Sequence, residues 1–222
     1  MKTLSASELA RYIDHTLLRP EATASDIQRL CAEARQFGFY AVCVNGSRVQ
    51  LARHLLEDTD IRVVAVVGFP LGAMEADVKR FETEAAIDSG AQEIDVVLNI
   101  GLLKDGNHAA LLRELRDVVE AADERPVKVI IETGLLTREE KLRACELILD
   151  SGAHFVKTST GFGPGGATCE DVRLLREAVG PYFGVKAAGG IRDAATALAL
   201  IEAGANRLGC SHSVAIVQGL AS

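Results

Sequence analysis

Ser151-Gly-Ala-His-Phe-Val-Lys157-Thr-Ser-Thr-Gly-Phe-Gly-Pro-Gly-Gly166 holds a helix-stopping glycine, a short apolar strand and a glycine-rich loop in immediate succession. Glycine is favoured just past a helix C-terminus because it adopts the left-handed backbone without a Cβ penalty. The same order recurs outward from this segment, at Ser-Gly90-Ala, at Ala-Gly204-Ala and, more loosely, at Gly38. Five residues beyond Gly90, Gly152, Gly204 and Gly38 stand Asp95, Lys157, Gly209 and Cys43. Side chains on a strand alternate with period two, so equal offsets predict that these four share a height and a face on their strands.

Helical and strand patterns alternate through the rest of the chain. Ser25, with Gln28 at the capping-box position, predicts a helix whose buried stripe is Ile27, Leu30, Cys31 and Ala34. Residues 75–89 predict a helix burying Val78, Phe81 and Ala85, and 107–122 predict another. Thr137 with Glu140 forms a second capping box, ahead of Leu142, Cys145 and Leu149 on one face. Strands are predicted around 12–14, 39–44, 61–67, 93–98 and 127–131, and near Lys157, Lys186 and Leu208. About eight strand–helix units in one chain of 222 residues predict an α/β fold, a single-domain (β/α)8 TIM barrel over residues 1–222.

Bulk properties narrow the function. A formal charge of -7 with no basic run argues against a nucleic-acid partner, and no apolar stretch reaches membrane-spanning length. The first ten residues meet Glu8 before any apolar core of a signal peptide. Five widely spaced cysteines, with no Cys-x-x-Cys pair, suggest neither zinc nor a dithiol. A cytoplasmic enzyme acting on a small molecule is the expectation.

Two lysines carry the chemistry. Lys157 and Lys186, in Gly184-Val-Lys-Ala-Ala-Gly-Gly-Ile-Arg192, each close a strand and open onto a glycine-rich loop. Active sites of such barrels lie at the C-terminal ends of the strands. Adjacent strands run about 5 Å apart, so two inward lysines there crowd their ammonium groups. A like charge and poor solvation both lower a lysine pKa, and a neutral lysine is a nucleophile suited to a Schiff base with a carbonyl. Asp95, at the matched offset, is the candidate acid/base. Lys128 is read instead as an ordinary strand lysine that snorkels outward into solvent.

The late loops suggest an anion. Ala188-Gly189-Gly190-Ile191 and Leu208-Gly209-Cys210-Ser211-His212-Ser213 follow the last two strands, where barrels commonly bind phosphate through backbone amides. Gly161-Phe-Gly163-Pro-Gly-Gly166 satisfies G-x-G-x-x-G, yet the next strand ends in Lys186 where dinucleotide binding requires an acid.

Taken together, Phe155-Val-Lys-Thr-Ser-Thr-Gly-Phe162, Val185-Lys-Ala-Ala-Gly-Gly-Ile-Arg192, Glu93-Ile-Asp-Val-Val97, Ile13-Asp-His-Thr-Leu-Leu18 and Lys128-Val-Ile-Ile-Glu-Thr-Gly134 resemble the deoxyribose-phosphate aldolase family over nearly the whole chain. The resemblance implies a metal-independent, cofactor-free Schiff-base aldolase that splits 2-deoxy-D-ribose 5-phosphate into D-glyceraldehyde 3-phosphate and acetaldehyde. It further implies Lys157 as nucleophile, Lys186 as its perturbing cation and Asp95 as proton carrier. Asp14, Thr16 and Thr160 would bind substrate, with Gly161, Gly189, Gly190, Gly209 and Ser211 around the phosphate. A homodimer or homotetramer follows the family's habit. Phe162 stands where some members carry a lysine, His212 and Ser213 replace small residues, and Gln218-Gly-Leu-Ala-Ser222 lacks the tyrosine that some members fold over the site. A Schiff-base aldolase for another sugar phosphate, or a non-catalytic phosphate-binding barrel, are the competing readings.

Overall fold

The computed structural model describes residues 4–220; Met1 to Thr3 at the start and Ala221 and Ser222 of the tail lie outside the described residues. Eight parallel strands close on themselves in chain order: β1 (Ile13–Leu17), β2 (Ala41–Val44), β3 (Arg62–Val67), β4 (Glu93–Val97), β5 (Val127–Ile130), β6 (Phe155–Lys157), β7 (Gly184–Ala188) and β8 (Arg207–Cys210). Around them run α1 (Ala6–Ala10), α2 (Ala24–Phe37), α3 (Val49–Leu55), α4 (Ala76–Asp88), α5 (Ile100–Lys104), α6 (His108–Ala121), α7 (Arg138–Ser151), α8 (Cys169–Val179), α9 (Ala194–Glu202) and α10 (Ser213–Gln218). The expected (β/α)8 barrel is the observed one.

Period-two alternation divides each strand between two environments. Val42, Val63, Val96, Val129, Val156, Val185 and Leu208 face outward into the main core under the helices. Ala41, Cys43, Val64 and Val66 form a separate apolar cluster with Leu18. Among the intervening positions on the other strands are seven charged residues, Asp14, Glu93, Asp95, Lys128, Lys157, Lys186 and Arg207, all buried. The lumen is thus apolar beside β2 and β3 and carries a buried ionic network beside the other strands.

The glycine punctuation works as predicted at helix ends. Gly38 and Gly152 take the left-handed conformation as caps of α2 and α7, at φ 67° and 86°. The Thr137–Glu140 capping box opens α7, and the stripe of Ile27, Leu30, Cys31 and Ala34 on α2 is buried.

Three helix expectations need correction, the first being Leu149 of the α7 stripe, which is 40% exposed while Leu147 and Ile148 turn inward. The cap of α2 is Thr23 with Asp26, not Ser25 with Gln28; Ser25 lies inside the helix and hydrogen-bonds the Thr23 hydroxyl instead. On α4 the apolar stripe faces outward, with Val78 50% and Phe81 71% exposed. The buried face carries Lys79, Thr83 and Ala86. Lys79 turns inward because its ammonium donates to Glu114 of α6 at 2.5 Å and to the Val97 carbonyl at 2.9 Å, so a satisfied ion pair overrides the pattern of apolar residues.

Candidate active site

At the C-terminal ends of the strands a cavity of about 400 Å3 opens. Its wall includes Thr16 near the end of β1, Lys157 ending β6, Thr160 and Gly161 in the following loop, Gly189 and Gly190 after β7, and Gly209 and Ser211 from β8 and its loop. Lys157 is the one lysine on that wall among the described residues. Asp14, Asp95 and Lys186 do not reach the wall; each is 0% exposed and lies beneath it. Asp14, expected to bind substrate, lies in the buried ionic layer beneath the wall.

Strand register builds the ionic layer. Lys157 lies beside Lys186 across β6 and β7, and Asp95 beside Lys128 across β4 and β5. Lys157 and Lys186 both donate to Oδ2 of Asp95, at 2.7 Å each. Lys128 donates to Oδ1 of Asp95 at 2.9 Å and pairs with Glu93 at 2.6 Å. Arg207 joins Glu93 at 3.4 Å to Asp14 at 3.0 Å, and Asp14 returns to Lys186 through a short contact. Asp95, Lys128, Glu93, Arg207, Asp14 and Lys186 thus form a closed ring of alternating charge, with Lys157 attached at Asp95. Lys128 is fully buried in this ring and does not snorkel outward, which corrects the sequence reading.

Electrostatics give the members of the ring different protonation. Burial pushes Asp95 up, but Lys128, Lys157 and Lys186 outweigh it and hold the carboxyl well below its ordinary 3.8. Burial likewise pushes Lys186 down, while Asp14 and Asp95 more than compensate and keep it protonated. Lys128 is held above its ordinary 10.5 because Asp95 and Glu93 overcome its burial. Lys157 alone among these lysines moves below 10.5: burial is the largest cause, and the Lys186 charge adds to it against the pull of Asp95. A count of charges agrees, since the carboxylates of Asp14, Glu93 and Asp95 match only three of the four cations Lys128, Lys157, Lys186 and Arg207. The unmatched amine is the one facing the cavity. Cys43, at the same offset, stays a thiol, pushed up to about 11 by burial.

The glycine-rich loops over the cavity are braced from below. Gly161, Gly189 and Gly190 hold positive φ of 85°, 92° and 77°, conformations that favour glycine. Glu132, buried just beyond β5, accepts from the Thr160 amide at 3.2 Å and from its hydroxyl through a short contact. Its own φ of 52° is unusual for a residue with a side chain. Neither Glu132 nor Glu93 was singled out from sequence. Glu93 had a usable signal, since it stands two residues before Asp95 and so shares its face; Glu132 had none beyond its place in Glu132-Thr-Gly134. Phe162, 53% exposed, meets Phe69 edge-on at 5.3 Å and puts an apolar pair at the rim. His212 also lines the cavity, whereas Ser213 is buried against His15 at 2.9 Å.

Among the described residues no group of three or more His, Cys, Asp or Glu is placed to hold a metal ion. What the arrangement can do is present to a carbonyl one amine whose pKa is lowered by burial and by Lys186, beside a charged proton carrier and under backbone amides suited to a phosphate.

A family model described as DeoC/LacD family aldolase matches residues 9–222. A deoxyribose-phosphate aldolase from Alkaliphilus oremlandii is 60% identical over 210 residues, covering 94% of this chain and 95% of that protein. One from Thermococcus gammatolerans is 58% identical, with 96% of each covered. Among solved structures, the tetrameric deoxyribose phosphate aldolase from Aeropyrum pernix superposes with a TM-score of 0.93 at 33% identity, covering 99% of this chain and 94% of that one.

Proposed function

The chain belongs to the DeoC/LacD family of aldolases, and on that premise we propose that it reversibly cleaves 2-deoxy-D-ribose 5-phosphate to D-glyceraldehyde 3-phosphate and acetaldehyde through a Schiff base on Lys157. The observation that carries this reading is the single lowered lysine on the cavity wall, 2.7 Å from a carboxylate that two further buried lysines keep ionised.

The neutral Nζ of Lys157 adds to C1 of the open-chain sugar, and loss of water leaves an iminium. Removal of the C3 hydroxyl proton lets the C2–C3 bond break, releasing D-glyceraldehyde 3-phosphate. Its electron pair enters the iminium to give an enamine. Protonation at C2 restores an iminium, and water releases acetaldehyde and the free lysine. Asp95 takes up and returns protons over this cycle, with Lys186 as the neighbouring ammonium that keeps it poised. Gly161, Gly189, Gly190, Gly209 and Ser211 receive the 5-phosphate, and Thr16 and Thr160 face the sugar.

Assay of acetaldehyde release from 2-deoxyribose 5-phosphate, set against other sugar phosphates, tests the substrate. Preference for a different sugar phosphate would favour the alternative Schiff-base aldolase. Association as a homodimer or homotetramer belongs to the same reading, and light scattering of the purified protein tests it. So does a cytoplasmic location, which the five free cysteines support.

A further inference from the structure

The opposite, N-terminal mouth of the barrel gathers guanidinium groups that the aldol chemistry does not call on. Two adjoining cavities of about 600 and 800 Å3 open there, and both have Arg11 and Tyr40 on their walls. The first adds Arg176 and Arg207, the second Arg53, Arg62 and Arg125. Three of these surround one ring: Arg207 lies 3.4 Å from the Tyr40 centroid, Arg11 5.5 Å and Arg62 5.6 Å.

Like charges this close repel unless anions answer them. Glu93 answers Arg62 at 3.3 Å and Arg207 at 3.4 Å, and Asp123 answers Arg125 at 3.0 Å. Arg11 and Arg53 pair with no carboxylate among the described residues. Arg176 spends its donors on the carbonyls of Gly180, Phe183 and Gly204 and on the Asn206 amide. Arg207 is 7% exposed, and its Nε is buried with no acceptor. The walls themselves carry only Asp60 and Glu124 as acids. A chain of net charge -7 has therefore concentrated the opposite sign at one place.

We propose that this mouth is a second anion site, taking a small ligand that carries a diphosphate. Guanidinium forks match phosphoryl oxygens with paired N–H donors, and every cation here is an arginine. Arg207 and Glu93 are already balanced within the buried ring; outside it and the Arg125–Asp123 pair, Arg11, Arg53, Arg62 and Arg176 face Asp60 and Glu124, an excess of two positive charges that a diphosphate offsets. The unmade Arg207 donor supplies a buried bond that such a ligand can complete. The site is separate from the catalytic phosphate loops, because Arg207 begins β8 while Ser211 follows its end.

Isothermal titration with inorganic pyrophosphate, at constant ionic strength, tests this on three proteins: wild type, Arg11→Gln/Arg53→Gln, and Ser211→Glu. The last removes anion binding at the catalytic loops. The expected result is saturable binding to wild type that persists in Ser211→Glu and weakens at least tenfold in Arg11→Gln/Arg53→Gln, whose aldol turnover is unchanged. Absence of binding to wild type, undiminished binding to the double variant, or loss of binding in Ser211→Glu would each overturn the proposal.

Discussion

Lys157 and Lys186 donate to one oxygen of Asp95 at the same distance of 2.7 Å, yet their pKa values move in opposite directions. The difference lies in what else each touches. Lys186 has a second carboxylate, Asp14, and Lys157 has only the cavity. Burial therefore prevails at Lys157 and loses at Lys186. The pair separates into one nucleophile and one fixed charge without any difference in residue type.

Lys186→Leu removes a charge that lowers Lys157 and also one of the three cations holding Asp95 ionised. Turnover is predicted to fall at least about a hundredfold, the scale of a lost acid–base partner. The alkaline shift is the more discriminating readout: Lys157 loses a cationic neighbour, so the rising limb of kcat/KM moves to higher pH. A pH profile that falls in height but keeps its position would contradict the role.

Lys128 makes no contact with the cavity, but its removal leaves Asp95 and Glu93 buried and short of a cation. Lys128→Met is predicted to cost about 3–5 kcal/mol in denaturant unfolding, as for other broken buried pairs. A loss below about 1 kcal/mol, the range of an exposed pair, would show that the ring is not closed as described.

Acid stability follows from the depressed carboxylates. Asp14 and Asp95 both fold with pKa values below the ordinary 3.8. Their contribution is complete above that pH and disappears as pH falls through the lower, folded values. Urea unfolding from neutral pH down is predicted to lose this stabilisation only below about pH 4. In Asp95→Asn the loss below that pH should be smaller than in wild type.

Glu132→Gln weakens the brace on Thr160 and so on the loop holding Gly161. A charge-assisted bond contributes about 1.5–3 kcal/mol, which corresponds to roughly tenfold or more in binding. KM for the phosphorylated substrate is predicted to rise on that scale while kcat changes little. An equal fall in kcat would place Glu132 in the chemistry instead.

The barrel itself was legible because its signals are local: glycines that end helices, capping boxes, and apolar runs of strand length. The common offset of Asp95 and Lys157 carried the layer they share, since period two is a property of any strand. Lys128 was misread for the converse reason. Its partners, Asp95 and Glu93, are more than thirty positions away, and nothing within Val127-Lys-Val-Ile130 says that an inward cation is satisfied. The outward stripe of α4 failed similarly, because the buried Lys79 depends on Glu114 of another helix. Apolar burial follows from composition nearby, whereas buried charge is decided by register across strands and helices.

The central claim is that Lys157 is the amine that bonds the carbonyl. Incubation with acetaldehyde and borohydride, followed by peptide mapping with mass spectrometry, measures it directly. The modification is predicted on the peptide containing Lys157, with loss of activity in proportion and no label in Lys157→Leu. Label on Lys186 or Lys128, or full activity in Lys157→Leu, would contradict the account.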